Sequence, residues 1–149
     1  MKSLLSLAVF LALVAAAALT GMNYLPGEWY EALVKPSWTP PNWVFPPAWT
    51  VLYVMIALAG WRVFEKQGIV PALIVWIVSL QLNAAWSVLM FKEHLIDYAL
   101  ADIAALWLSI AAFIGLTWNT NRLASLLFVP YLLWVSYATA LNSAIWRLN

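Results

Sequence analysis

Five apolar runs, at about residues 3–22, 46–64, 69–91, 97–118 and 123–146, constrain this chain more than any other feature. Each is about 19–24 residues long, and at a rise of about 1.5 Å per residue a helix of that length crosses a hydrocarbon core of about 30 Å. In lipid the backbone polar groups must be satisfied internally, which leaves helices or closed barrels, and unbroken runs of this length read as helices. Charged residues make up 9% of the 149 and hydrophobic ones 66%, whereas an average soluble domain carries about 25% charge. Water cannot solvate such a surface. The expected fold is all-α: one domain over residues 1–149, an integral membrane bundle of five transmembrane helices.

The same counts exclude several functions. There is no cysteine, hence no disulfide framework, no zinc site and no thiol chemistry. A net charge of +1 supplies no basic patch for nucleic acid. The first run, with Lys2 ahead and Ala16-Ala17-Ala18 near its end, resembles a secretory signal peptide, but its length favours a retained helix. Ala8, Ala12 and Ala16 on that run, and Ala101, Ala105, Ser109 and Ala112 on the fourth, form small-residue stripes suited to close helix contact. Lys2, Arg62, Lys66 and Arg122 lie on one side of the membrane and Lys35, Lys92 and Arg147 on the other. This slight excess places the N-terminus in the cytoplasm. Five helices give no equal halves, which argues against a rocking transporter built from inverted repeats.

The connection over residues 23–45 and the helix start after it are unusual. Residues 35–53 hold five prolines and three tryptophans. Proline fixes φ and donates no backbone hydrogen bond, so residues 35–45 read as a stiff, extended, aromatic loop. Pro46 or Pro47 suits the first turn of the following helix. Before it, Trp29, Tyr30 and Leu33 give residues 28–34 the pattern of a short helix lying at the interface. The loop is expected to form a lid on the bundle.

Eleven tryptophans are too many for interfacial belts alone. Trp49, Trp76, Trp86, Trp107 and Trp134 fall within spans, where they either fill space between helices or line a cavity that offers their N–H groups a partner. Polar residues at membrane depth face other helices or a cavity. Asn83 and Ser87 share one face of the third span, with Trp86 beside them. Tyr131, Trp134, Ala138, Leu141 and Asn142 share a stripe of the fifth, and Trp49 and Tyr53 lie at i, i+4 on the second. Together they describe a broad, flat-walled aromatic pocket suited to a large planar apolar ligand. The alternative is that Asn83 and Asn142 only join helices, at about 0.6 kcal/mol each. Asp102, about one turn into the fourth span, is a further functional candidate. His94, the single histidine, falls in a polar loop, and no His or Cys is available in the pocket to ligate a haem iron.

Lys35-Pro36-Ser37-Trp38-Thr39-Pro40-Pro41, Trp49-Thr50-Val51-Leu52-Tyr53, Leu82-Asn83-Ala84-Ala85-Trp86-Ser87, Pro130-Tyr131-Leu132-Leu133-Trp134 and Ala138-Thr139-Ala140-Leu141-Asn142 together resemble the translocator protein family. This is the TspO/MBR group of tryptophan-rich sensory proteins and peripheral benzodiazepine receptors. The resemblance implies a five-helix bundle, commonly a homodimer, in a bacterial cell membrane for a member of this kind. It implies binding of porphyrins such as protoporphyrin IX for sensing, sequestration or transport, with cholesterol and benzodiazepine-type ligands bound by mitochondrial members. No separate cofactor or metal is implied. The family's pocket maps onto Tyr30, Pro40, Phe45, Trp49, Tyr53, Asn83, Trp86, Ser87, Trp134, Ala138 and Leu141. Trp49 and Trp134 match the tryptophans tied to light-dependent porphyrin breakdown, the alternative activity. A sterol or lipid carrier is a second alternative. It is weakened because Ser143 stands where the family's cholesterol motif has Tyr before Arg147. Lys35, Lys92 and Arg147, on the lid side, are expected to meet porphyrin propionates.

Overall fold

The computed structural model describes residues 2–149, the side chain of Lys2 excepted; the charge of Lys2 used to orient the chain therefore lies outside the described residues. The elements are α1 (Lys2–Asn23), α2 (Glu28–Ala32), a 3₁₀ turn (Asn42–Val44), α3 (Phe45–Gln67), α4 (Pro71–Ser87), a π turn (Val88–Lys92), α5 (Ile96–Thr117) and α6 (Arg122–Leu148). Among the described residues there is no strand. α1, α3, α4 with its π turn, α5 and α6 are each long and apolar enough to cross a membrane. The protein is an all-α, multi-pass integral membrane protein.

Local chemistry sets the helix ends. Pro46 and Pro47 fall in the first turn of α3 and Pro71 opens α4, where a missing N–H is harmless. α3 stops at Gly68, whose φ of 72° suits glycine and whose N–H bonds Phe64 O at 2.8 Å. Asn121 caps α6 by accepting from Ala124 N–H, and its Nδ2 donates to Arg62 O at 3.0 Å. That ties the α5–α6 turn to α3.

α5 packs between α4 and α6, α3 against α6, and α1 against α3 and α4. The half of the bundle holding the α3 C-terminus is closely filled. Trp76 is fully buried and donates to Ile56 O at 2.8 Å. Its ring lies in a notch at Gly60, where a Cβ would fall 2.5 Å from the indole. Phe10 meets it edge-on at 5.1 Å. Phe113 and Phe128 pack at 4.0 Å, and a bond of 2.7 Å links the Thr117 and Ser125 hydroxyls.

The small-residue stripes take no part in the subunit's own core. Ala8, Ala12 and Ala16 are exposed, as are Ala101, Ala105 and Ala112. Within the subunit α1 buries Phe10, Val14 and Ala17 instead, and α5 buries Ile103, Leu106, Ile110 and Phe113. Larger side chains fill the gaps between these helices, and the small-residue stripes face outward.

Candidate ligand cavity

At the other half of the bundle the five spanning helices separate around a cavity of about 530 Å³, within the range of about 300–1,000 Å³ usual for small-molecule sites. α3 supplies Trp49 and Tyr53, α4 supplies Asn83, Trp86 and Ser87, and α6 supplies Trp134, Ala138, Leu141 and Asn142. Tyr30 of α2 and Phe45 at the start of α3 close one end. Ten of the eleven residues expected at the site thus surround one space, on elements far apart in sequence. Pro40 is not among the lining residues. The middle of the Pro/Trp loop is displaced from the cavity because it is held elsewhere: Trp38 packs edge-on to Tyr137 at 5.7 Å and its carbonyl accepts from Tyr137 OH at 2.7 Å. The cover comes instead from Tyr24, Leu25, Pro26 and Tyr30.

The walls are aromatic. Trp49 stacks on Tyr53 at 5.3 Å and meets Trp134 edge-to-face at 6.3 Å, while Trp134 meets Phe45 at 5.9 Å. Rings locked this way present flat faces at low conformational cost. Two amides organise the polar side. Asn83 accepts from Tyr53 OH and donates to Tyr131 OH, both at 3.1 Å. Asn142 accepts from Trp86 Nε1 at 3.0 Å and donates to Ile96 O at 3.2 Å. Tyr131 itself is fully buried behind the wall, so it supports the site without lining it. Among the described residues the buried Nε1 of Trp134 has no hydrogen-bond partner, which leaves a donor at the cavity. Burial, with a smaller contribution from Tyr137, raises the pKa of Tyr30, so its phenol stays neutral.

The expected tryptophan roles divide. Trp49, Trp86 and Trp134 line the cavity. Trp76 fills the packed half, and Trp107 bonds Ser136 Oγ at 2.7 Å on the outer side of α5 and α6. The basic residues do not line it either. The ammonium of Lys35 donates to the carbonyls of Tyr30, Glu31 and Leu33 at 2.6–3.1 Å, capping α2. Lys92 pairs with Glu93 at 3.2 Å. Pairing Lys35 with a propionate therefore requires releasing that cap. His94 is exposed, at φ 58°, and stacks on Trp29 at 4.0 Å. Asp102 is half-buried, and its Oδ2 is buried without a partner among the described residues.

Sequence reasoning missed the α1 wall of Leu11, Val14, Ala15, Ala18, Gly21 and Met22, and also Met90 and Phe91 of the π turn. The only signal on α1 was Gly21, where a Cβ would lie 3.5 Å from Ser87 Oγ and 4.0 Å from Tyr53 OH. The π turn widens the end of α4 just where Trp86, Met90 and Phe91 meet the cavity, a common functional use of such bulges.

Fold and site together define an integral membrane protein that surrounds an aromatic, intramembrane cavity with five helices. The model of the TspO/MBR family matches residues 5–147, and the chain belongs to that family. It is 40% identical to Protein CrtK of Rhodobacter capsulatus, over 99% of this chain and 94% of that protein. It is 42% identical to the tryptophan-rich sensory protein of Cereibacter sphaeroides, over 94% of this chain and 89% of that one. To the human translocator protein it is 34% identical, over 87% of this chain and 81% of the other.

Proposed function

We propose that this protein is a membrane receptor that binds a planar tetrapyrrole, with protoporphyrin IX as the ligand to test, for sensing, sequestration or transport. The observation that carries the reading is the cavity of about 530 Å³ walled by Trp49, Tyr53, Trp86 and Trp134. A large flat macrocycle gains from broad aromatic faces, and the few placed donors orient it. No metal or separate cofactor is needed for binding. The names of the relatives, sensory and translocator proteins, support a receptor role. The outward stripes of α1 and α5 offer faces on which a second copy would form a homodimer.

A second reading is light-dependent porphyrin breakdown, favoured by the 6.3 Å edge-to-face pair of Trp49 and Trp134 in the wall. An indole held against a photoexcited ring is a ready electron donor. One experiment separates the two: titration of the detergent-purified protein with protoporphyrin IX, read by tryptophan quenching in the dark and then by the Soret band under illumination. Saturable micromolar quenching with a stable Soret band is the expected result for a receptor. Decay of the band that requires Trp49 and Trp134, tested with Trp49→Phe and Trp134→Phe, identifies the enzyme. Absence of saturable quenching overturns both, and sterol binding then becomes the reading to test.

A further inference from the structure

The cavity is bounded by the loop-side cover and by the seam between α1 and α3, and the two are built differently. The cover on the loop side is clamped. The Asn149 side chain accepts from Val34 N–H and donates to Val34 O, both at 3.0 Å. Trp29 stacks on His94, and Tyr137 OH holds the Trp38 carbonyl. These contacts fix the lid to α6 and to the α4–α5 loop. The lateral side, between α1 and α3, is open. Leu11 and Met22 of α1 and Val54 of α3 all line the cavity, yet they are 43%, 68% and 48% exposed. Side chains that line a cavity and are also exposed mark an opening. Leu11, Met22 and Val54 lie within spanning helices, so this opening faces hydrocarbon.

The seam is also pinned at one end only. Near the start of α1, Trp61 Nε1 donates to Ser6 Oγ at 3.1 Å, Ser6 Oγ donates to Glu65 at 2.6 Å, and Phe10 packs on Phe64 at 5.7 Å. Toward Met22, the one side-chain hydrogen bond of α1 among the described residues is from Thr20 to its own helix, at Ala17 O.

We propose that the ligand reaches the cavity sideways from the bilayer, through the seam between α1 and α3, while the clamped lid stays shut. This rests on the reading of the cavity as a site for a large apolar ligand, and the test keeps the two apart. Stopped-flow quenching by protoporphyrin IX would be followed in proteoliposomes for the wild type, for Ala15→Phe/Val54→Phe, which adds bulk on both sides of the seam, and for Asn149→Ala/Tyr137→Phe, which releases the clamp. A thermal unfolding midpoint for each variant checks that it is folded. A gate slows passage both ways, so the seam variant is expected to slow association and dissociation by about fivefold or more; bulk that merely filled the cavity would speed dissociation. Releasing the clamp is expected to change either rate less than twofold. Faster exchange on clamp release, with the seam variant at wild-type rates, overturns the proposal.

A second readout needs no porphyrin. The Trp49 contribution to fluorescence, taken as wild type minus Trp49→Phe, is measured in vesicles of brominated-acyl phosphatidylcholine and, separately, with aqueous acrylamide. Stronger quenching from the lipid phase supports the seam, and stronger quenching from water overturns it. Lipid-phase quenching without any response to porphyrin would reject the tetrapyrrole reading and leave the lateral route standing.

Discussion

The two halves of the bundle use the same residue types for opposite ends. In the packed half, Trp76 has a carbonyl for its N–H and a glycine notch for its ring. In the open half, Trp134 has neither, and its Nε1 is unpartnered among the described residues. α3 runs through both. Its Ala57, Ala59 and Val63 are completely buried, whereas two turns earlier Trp49 and Tyr53 face empty space. A tryptophan in a membrane helix is thus a packing element or a binding surface according to what stands opposite, and a small residue there decides for packing. The packed half supplies the rigidity that lets the other half remain open, since interiors at crystal-like density do not relax to fill a neighbouring void.

The largest effect should come from breaking the packed half. Gly60→Ala places a methyl 2.5 Å from the Trp76 ring, and that ring is backed by Phe10. Overpacking of this kind costs about 1–3 kcal/mol, so the thermal midpoint in detergent should fall by several degrees. Adding Trp76→Phe should recover part of the loss by vacating the notch. If Gly60→Ala melts at the wild-type temperature, the notch is not the tight contact described.

A smaller effect is expected where the halves join. Asn83 holds Tyr53 on the cavity side and the buried Tyr131 on the packed side. Asn83→Leu removes both bonds, and membrane hydrogen bonds of this kind average about 0.6 kcal/mol with a maximum of about 1.7. Stability should fall by about 1 kcal/mol in total, and protoporphyrin affinity should fall with it because Tyr53 loses its anchor. A loss of stability with unchanged binding would make Asn83 a purely structural joint.

These residues also show what a sequence of this kind reveals. The five spans were legible because hydrophobic length is a direct signature of the bilayer, and the start of α3 was legible from Pro46 and Pro47. Asn83, Ser87 and Asn142 stood out because polar groups at that depth are rare. Which face of an apolar helix turns inward was not legible. Lipid is as apolar as the core, so Ala8, Ala12 and Ala16, which face outward, and Leu11, Ala15 and Ala18, which line the cavity, obey the same composition rules. The path of the Pro/Trp loop was hidden for a different reason: the bonds that steer it, Tyr137 to Trp38 and Asn149 to Val34, span 99 and 115 residues. Proline fixes local stiffness but carries no information about such distant partners.

The smallest effect concerns the lid, and it sharpens the contrast between a clamped cover and an open seam. Burial raises the pKa of Tyr30 above its ordinary 10.0. The unfolded phenol therefore ionises first as pH rises, and the native state then holds more protons than the unfolded one. By linkage, this contribution to stability is fully present below pH 10 and is lost as pH climbs through the higher native value. Tyr30→Phe should flatten that alkaline slope and leave stability at neutral pH almost unchanged, as measured by unfolding between pH 7 and 11. Tyr30 covers the cavity from α2, so its ionisation in the wild type should also loosen the lid on the side held by Asn149 and Trp29. Porphyrin exchange rates that stay constant across the same alkaline range would then agree with passage through the seam, because the seam is lined by Leu11, Met22 and Val54, none of which titrates.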